Sequence, residues 1–323
     1  MEPQAIPEPK TQPILVAAAS AIVIIPAYNE ARFIGSVVLG AKRYASAVIV
    51  VDDGSADMTA DIAEAAGAMV LRHPVNQGKA AALNTGFRYA KGCLSEDESI
   101  QVVVILDGDG QHLCSDIPIL ANPILSGKAD IAVGSRFLEV KSRIPKWRVF
   151  GQQVLTMATN VSSGVNLTDS QSGFRAFSRQ VLDQMDFESD GFSVESEMQF
   201  IAQEQKFQMI EVPIHVIYAE PPKRNPVAQG LKVIDGIAKL MGQYRPLIFF
   251  TIPGASLILI GMGWGIVVID RFQVTGHLAV GYAMICVLLS IIGMILISTG
   301  FTLHSIRGLL IDLLQLKGKK ASG

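Results

Sequence analysis

Charged residues are scarce in this chain. Of its 323 residues, 27 are Lys or Arg and 29 are Asp or Glu, which is 17% of the sequence, against about 25% in an average soluble protein. The formal net charge of −2 gives no overall positive field toward phosphate backbones, which argues against nucleic acid as a partner. Half of the residues are hydrophobic. This excludes a disordered chain, because disordered chains are poor in apolar residues.

Cysteine is rare as well. The three cysteines, Cys93, Cys114 and Cys286, lie far apart and match no metal-ligand spacing. They predict neither a disulfide framework nor a zinc site, which is typical of a reducing cytosol. No internal repeat of 20–50 residues is present, which excludes a solenoid. Residues 1–20 contain four prolines and an early Glu instead of a basic start, and they are predicted to be a flexible tail and not a signal peptide.

The apolar residues are concentrated near the C-terminus. Segments 247–269 and 278–303 carry no charge over 23 and 26 residues, and about 20 apolar residues suffice to cross a bilayer. The sequence therefore predicts two transmembrane helices within 245–304, joined by a short loop at 270–277, and a lipid bilayer as a partner. Basic residues flank the pair on both outer sides: Lys232, Lys239, Arg245, Arg307, Lys317, Lys319 and Lys320. By the positive-inside rule, this multi-pass arrangement has both termini and any catalytic domain on the cytoplasmic side.

Two further features belong to this membrane segment. Residues 226–244 have apolar positions at helical spacing and predict an amphipathic helix lying at the membrane interface. Residues 305–323 are predicted to form a cytoplasmic tail, in which 306–316 has the pattern of another surface helix. Gly261 and Gly265 stand at small-xxx-small spacing, which allows close approach either of the two helices or of two subunits in a homo-oligomer.

Residues 21–225 alternate short apolar runs with amphipathic stretches. That pattern predicts an α/β fold with a mostly parallel sheet flanked by helices. The expected strands cover 21–25, 47–51, 69–72, 102–106, 131–133 and 210–216, and the expected helices cover 32–44, 57–66, 79–91, 147–161 and 193–205. In such open sheets, ligands bind beyond the carboxyl ends of the strands.

Polar residues follow three of these strands directly. The first strand leads into 26–30 (PAYNE), the second into 52–55 (DDGS) and the fourth into 107–112 (DGDGQH). Asp107 and Asp109 are two carboxylates separated by one glycine, a pattern that presents hard oxygen ligands to Mg²⁺ or Mn²⁺. Such a cation would neutralise a diphosphate. His112 is more simply explained as a neighbour of this site than as a metal ligand, and the remaining histidines are assigned to no site: His73, His215, His277 and His304.

Six segments together resemble the family 2 glycosyltransferases with the GT-A fold. They are IPAYNE (25–30), VIVVDDGSAD (48–57), NQGKAAALNTG (76–86), VVILDGDGQH (103–112), ADIAVGSRF (129–137) and DSQSGFRAFS (169–178). Within that family they are most similar to the polyprenyl- and dolichyl-phosphate sugar synthases. The resemblance covers about residues 20 to 225, and its motifs occur in the family's order.

The resemblance implies a role for each matching residue. For the nucleotide sugar it implies Pro26, Tyr28, Glu30, Asp53, Lys79, Asp107, Lys223 and Arg224, with Asp53 accepting a hydrogen bond from a ring N–H of the base. For the divalent metal, Mg²⁺ or Mn²⁺, it implies Asp107, Asp109 and Gln111. For catalysis and the acceptor phosphate it implies Asp109, Arg136, Arg148, Asp169 and Arg175. Arg148 is explained equally well as an arginine at the membrane surface.

The implied reaction is transfer of a hexose from a nucleotide-diphosphate sugar to polyprenyl or dolichyl phosphate, with inversion at the anomeric carbon. Mannose synthases of the family follow the last strand with an R…GxSKL-like stretch, but here 218–226 reads YAEPPKRNP. A UDP-hexose or UDP-N-acetylhexosamine is therefore at least as well supported a donor as GDP-mannose. The alternatives are a family 2 transferase acting on a sugar hydroxyl, although no Q-x-x-R-W motif is present, and a membrane scaffold without activity.

Overall fold

The structure is a computed structural model that describes residues 20–138, 146–187, 194–217, 235, 238, 241–242 and 245–321. The predicted N-terminal tail (1–20) and interfacial helix (226–244) lie almost entirely outside these residues. The described part divides into two compact units, 1–236 and 237–323. The first unit contains the sheet, and the second contains the two long apolar helices.

Seven strands form one sheet in the order β3–β2–β1–β4–β6–β5–β7. All neighbouring pairs are parallel except those of β6, which is antiparallel to both β4 and β5. The strands are β1 (Ala21–Ala27), β2 (Ala47–Asp52), β3 (Met69–Arg72), β4 (Val102–Ile105), β5 (Ile131–Ser135), β6 (Arg175–Ser178) and β7 (Met209–Pro213). A mostly parallel sheet is thus confirmed.

Helices cover both faces of this sheet. In chain order they are α1 (Ile34–Ala41), α2 (Thr59–Ala65), α3 (Lys79–Glu96), α4 (Ile117–Leu125), α5 (Lys146–Ser163), α6 (Arg179–Leu182) and α7 (Val194–Glu204). Successive side chains of a strand point to opposite faces. Accordingly, Val23 and Ile25 of β1 pack in one apolar layer with α1 and α4. Ile22 and Ile24 pack in the other layer, with α3 and α7.

The second unit contains α8 (Pro246–Thr275) and α9 (Val280–Ala321). Both helices are long and apolar enough to cross a membrane, and an 18-residue window within each has a mean hydropathy of 2.1 and 2.6, respectively. The predicted loop at 270–277 is too long, because α8 continues to Thr275. The predicted separate surface helix at 306–316 is also wrong, since α9 runs without a break to Ala321.

Glycines allow these two helices to come into contact. A Cβ atom added to Gly254 would lie 2.7 Å from the Gly293 carbonyl oxygen, and one added to Gly293 would lie 2.6 Å from the Gly254 carbonyl oxygen. A Cβ on Gly261 would likewise meet the Cys286 carbonyl at 3.1 Å. Of the two explanations for the small-residue spacing, the structure shows the contact within the pair, and the homo-oligomer remains a prediction.

Candidate active site

The topology brings five loops to one edge of the sheet. The carboxyl ends of the parallel strands β1, β2, β4 and β5 all meet at this edge, so the loops that follow them are neighbours. Strand β6 runs in the opposite direction. The loop that precedes it, 168–174, therefore lies at the same edge. Most of the predicted site residues that the structure describes with their side chains lie on these loops or at the N-terminus of α3, and Pro26 and Arg175 lie in the adjoining strands.

The loops after β1 and β2 are joined to each other by hydrogen bonds. The Asn29 N–H donates to Ser55 Oγ (2.9 Å), and Asn29 Oδ1 accepts from the Ala56 N–H (2.9 Å). The Glu30 N–H donates to Thr59 Oγ1 (2.8 Å). Predicted nucleotide ligands lie on this double loop: Pro26 and Glu30 are half-buried, and the Tyr28 side chain is 40% exposed. Tyr28 therefore offers an aromatic surface next to a rigid polar loop.

Asp53 is held in place from several directions. Its Oδ1 accepts hydrogen bonds from the Gln77 N–H (2.9 Å) and from His73 Nδ1 (2.8 Å), and its Oδ2 accepts one from the Gly78 N–H (2.8 Å). Asp53 is nearly buried, at 3% exposure. The assignment of His73 to no site is therefore wrong, because β3 ends at Arg72 and places His73 beside the Asp53 carboxylate.

Lys79, the first residue of α3, connects two carboxylates. Its Nζ lies 2.7 Å from Asp107 Oδ1 and 2.7 Å from Glu195 Oε1. Burial acts to lower the pKa of Lys79, but the two carboxylates outweigh it and raise this pKa above its usual value. Gly173 permits the arrangement, because a Cβ atom there would lie 2.4 Å from Asp107 Oδ2. Sequence reasoning missed Glu195, which lies 116 positions from Lys79 and carries no motif.

Asp109 has a different electrostatic environment from Asp107. Burial, together with the negative charges of Asp107 and Glu30, raises the pKa of Asp109 to about 6. For Asp107 burial also acts to raise the pKa, but Lys79, His112 and Arg136 outweigh it, and its pKa lies below the usual value. Lys79 therefore outweighs the effect of burial at Asp107, whereas at Asp109 its attraction is too weak to offset burial and the neighbouring negative charges.

This pair has the chemistry of a divalent-cation site. No group of three or more His, Cys, Asp or Glu side chains in the described part of the chain is spaced to hold a metal ion. Nevertheless, two adjacent carboxylates whose repulsion raises one pKa are the donors that a hard cation would stabilise. Gln111 is half-buried beside them, and its N–H donates to Asp109 Oδ1 (3.0 Å). The residues present thus fit Mg²⁺ or Mn²⁺.

His112, the last residue of this loop, packs against Phe174. Its ring lies 5.1 Å from the Phe174 ring, and its Nδ1 atom is buried with no hydrogen-bond partner in the described structure. Burial lowers the pKa of His112 to about 4 despite the attraction of Asp107. The ring is therefore neutral at physiological pH.

Arg136 and Asp169 form a bidentate ion pair at the same edge. Arg136 Nε donates to Asp169 Oδ2 and Nη2 donates to Oδ1, both at 2.6 Å. The Asp169 side chain is fully buried and that of Arg136 is 11% exposed. Glu211 of β7 holds the backbone beside this pair, because its carboxylate accepts hydrogen bonds from the N–H groups of Asp169 (2.9 Å) and Thr168 (2.7 Å). No sequence pattern singled out Glu211, an acidic residue inside a short strand.

Arg175 lies inside the sheet. It is fully buried as the first residue of β6, and its guanidinium donates to the carbonyl oxygens of Ser172 (2.9 Å) and Ser170 (2.6 Å). Burial lowers the pKa of Arg175, and this is opposed by Glu195, Asp169 and Glu211. Arg175 therefore fixes the course of the loop that carries Asp169, rather than presenting its charge at the surface.

Three predicted site residues cannot be placed. Lys223 and Arg224 lie outside the described residues. Arg148 lies in α5, where the structure describes only the backbone of residues 146–150. Their predicted roles stay predictions.

The chain is similar to known glycosyltransferases in sequence. The family model described as "Glycosyl transferase family 2" matches residues 22–186. An uncharacterised protein of Methanocaldococcus jannaschii is 34% identical over 232 residues, which are 70% of this chain and 92% of that protein. The UDP-N-acetylglucosamine–dolichyl-phosphate N-acetylglucosaminyltransferase of Methanococcus voltae is 31% identical over 236 residues, covering 66% of this chain and 90% of the relative.

The fold has solved counterparts. Glucosyl-3-phosphoglycerate synthase from Mycobacterium tuberculosis, crystallised in complex with Mn²⁺, uridine diphosphate and phosphoglyceric acid, superimposes with a TM-score of 0.57. The match covers 72% of this chain and 82% of that one, at 21% sequence identity. At this identity the likeness concerns the fold alone.

Proposed function

Since the chain belongs to glycosyl transferase family 2, we propose that it transfers a hexose from a nucleotide-diphosphate sugar to polyprenyl or dolichyl phosphate at a membrane. The observation that carries this proposal is the common position of three groups at one sheet edge. These groups are the Asp53 carboxylate, the Asp107/Asp109 pair and the Arg136–Asp169 pair. The two apolar helices α8 and α9 support an acceptor that resides in a bilayer.

The nucleotide would bind across the loops after β1 and β2. Tyr28 offers an aromatic face for the base, and Asp53 offers a fixed carboxylate acceptor for a ring N–H. Asp107 and Asp109 would hold a divalent cation with Gln111, and that cation would stabilise the charge of the departing nucleoside diphosphate. Lys79 lies between the two subsites, because the Gly78 N–H beside it donates to Asp53 and its own Nζ contacts Asp107.

The acceptor is itself a competent nucleophile. A phosphate monoester has a second pKa of about 6, so near pH 7 it is mostly a dianion and needs no dedicated general base. The protein must instead hold this anion in line with the anomeric carbon, and positively charged side chains can do so by electrostatic attraction. We assign it to Arg136, whose guanidinium plane is fixed by Asp169, and to Arg148. We assign Arg175 the positioning of the 168–174 loop. Backside attack inverts the anomeric carbon.

The donor and the orientation are part of the same proposal. The UDP donor in the name of the Methanococcus voltae relative supports a UDP-N-acetylhexosamine or UDP-hexose over GDP-mannose. The basic residues on both outer sides of the helix pair support a cytoplasmic location of the sheet unit and of both termini. Lys223 and Arg224 follow the last strand in sequence, and we assign them to the diphosphate.

The decisive experiment is transfer by the full chain in membranes. A panel of radiolabelled UDP- and GDP-sugars is supplied with polyprenyl phosphate, and the lipid-extracted product is tested for mild-acid lability, which a sugar phosphodiester shows. Asp109→Ala should abolish divalent-metal-dependent transfer, because it removes one of the two carboxylates proposed to hold the cation. Asp97→Ala, which alters an exposed turn carboxylate, serves as the control. Normal turnover by Asp109→Ala, or an acid-stable product on a sugar hydroxyl, would overturn the proposal.

A further inference from the structure

A chain of hydrogen bonds leads away from the proposed nucleotide subsite into the interior. His73 Nδ1 lies 2.8 Å from Asp53 Oδ1, and His73 Nε2 lies 2.9 Å from Thr85 Oγ1. The His73 side chain is 10% exposed and that of Asp53 is 5% exposed. Thr85 lies on α3, which packs against the opposite side of the sheet from α1. The imidazole thus connects the Asp53 carboxylate to a helix.

The partners of the ring determine where its protons lie. An ionised carboxylate can only accept, so Nδ1 of His73 carries the hydrogen that is donated to Asp53. In the neutral ring Nε2 then has a free lone pair, and it accepts the hydroxyl hydrogen of Thr85. In this tautomer both ring nitrogens of His73 are used, one as a donor and the other as an acceptor. This fixes the plane of the ring and, through it, the rotamer of Asp53.

The strand register places His73 at this point. Arg72, the last residue of β3, pairs with Asp52 of β2, and the His73 N–H continues the ladder by donating to the Asp52 carbonyl (2.9 Å). Beyond it, the Gln77 and Gly78 N–H groups take two further acceptor positions of Asp53. Oδ1 thus accepts two hydrogen bonds and Oδ2 accepts one. A carboxylate oxygen has two acceptor positions, so Oδ2 retains one among the described contacts.

We propose that His73, held by Thr85, is a positioning residue that fixes Asp53 so that Oδ2 accepts the ring N–H of a uracil or guanine base. The inference rests on the proposed function, since it assigns Asp53 to the nucleotide. The consequence is selectivity between nucleotide bases. A fixed carboxylate favours bases with a ring N–H and disfavours cytosine, whose corresponding ring nitrogen is an acceptor and would face the negative charge.

The test measures binding of UDP, GDP and CDP to the full chain in nanodiscs with Mn²⁺ by calorimetry, beside steady-state turnover. In His73→Ala the Kd for the preferred nucleotide should rise about tenfold, which corresponds to about 1.4 kcal/mol. The KM of the nucleotide sugar should rise by the same factor, with kcat within about twofold, and the preference over CDP should fall. His73→Asn keeps a donor near the Nδ1 position and should restore most of the affinity.

Two further variants separate positioning from folding. Thr85→Val keeps the size of the side chain and the Asp53–His73 contact but removes the hydroxyl, and it should raise Kd about twofold to threefold. Arg72→Ala is the matched control, because Arg72 precedes His73 and forms ion pairs with the surface residues Asp61 and Glu64. It should leave Kd unchanged.

The outcomes distinguish a failure of the His73 inference from a failure of the proposed function. If His73 acts through Asp53, the His73→Ala effect disappears in an Asp53→Ala background, as a double-mutant cycle shows. An unchanged Kd in both His73→Ala and Thr85→Val, or an equal loss for UDP, GDP and CDP, would overturn the inference. A wild-type chain that binds no nucleoside diphosphate would instead overturn the proposed function.

Discussion

Replacing Asp169 by alanine should destabilise the sheet unit by a large and predictable amount. The substitution removes two acceptors of the Arg136 guanidinium, at 2.6 Å each, and an acceptor of the Arg136 backbone N–H, at 3.1 Å. The Arg136 side chain is only 11% exposed, so water cannot fully replace these contacts. Removing one partner of a buried ion pair costs about 3–5 kcal/mol, because the strongest contacts of the remaining buried charge are lost.

This free energy corresponds to a measurable change in melting temperature. For a unit of about 150–250 residues, 1 kcal/mol shifts Tm by about 2–4 °C, so Asp169→Ala should lower Tm by about 6–20 °C. The matched control is Asp61→Ala. It breaks a pair with Arg72 whose side chains are 60% and 48% exposed. A surface pair contributes at most about 1 kcal/mol, so its Tm should fall by less than about 4 °C.

The assay must report on the sheet unit alone, because the apolar helices form a second unit. Proteolysis of the full chain in detergent at increasing temperature, with peptides from 20–217 followed by mass spectrometry, meets this requirement. Asp169→Asn should give an intermediate shift, since the amide oxygen accepts one of the guanidinium N–H groups but carries no charge. A Tm shift for Asp169→Ala no larger than that for Asp61→Ala would refute the argument that this ion pair is buried and coupled.

Two further substitutions test close contacts that depend on glycine. Gly173→Ala should weaken Mn²⁺ binding, measured by calorimetry, because the new methyl group overlaps the Asp107 carboxylate without removing any charge; unchanged Mn²⁺ affinity would contradict the Asp107 site. Gly293→Ala should lower the thermal stability of the helix pair in detergent, whereas Gly263→Ala, which has no neighbouring atom within 4 Å, should not. Equal stability of these two variants would show that the helices do not pack through Gly293.

Much of the fold could be predicted because the apolar pattern of each parallel strand is local. Strand β3 was predicted at its observed bounds, and β1, β2 and β4 differ by no more than two residues at either end. Strand β6 was missed. Its sequence, RAFS, is short, begins with a charged residue and ends the 169–178 motif, for which no strand was predicted. It is a strand because β4 and β5 supply hydrogen-bonding edges on both of its sides, which local sequence does not reveal.

The candidate site was predictable only where its residues form motifs. Asp53 directly follows β2, and Asp107 and Asp109 lie within four residues of the end of β4, so sequence position alone brings them to one edge. The partners that set their electrostatics were not predictable. Glu195 contacts Lys79 across more than a hundred residues, and His73 contacts Asp53 because β2 and β3 are in register. Such pairs depend on the packing of the whole unit and have no signal in any single segment.

The antiparallel insertion of β6 has a consequence for synthesis on the ribosome. Strands β4 and β5 never pair directly, because β6 lies between them and hydrogen-bonds to both. A nascent chain that ends before Ser178 can assemble β1 to β4, but it has no means of joining β5 to them. The Arg136–Asp169 pair therefore forms late, after more than half of the polypeptide has been made. Truncated chains should expose the apolar edges of β4 and β5, and unpaired strand edges of this kind are prone to aggregate during translation.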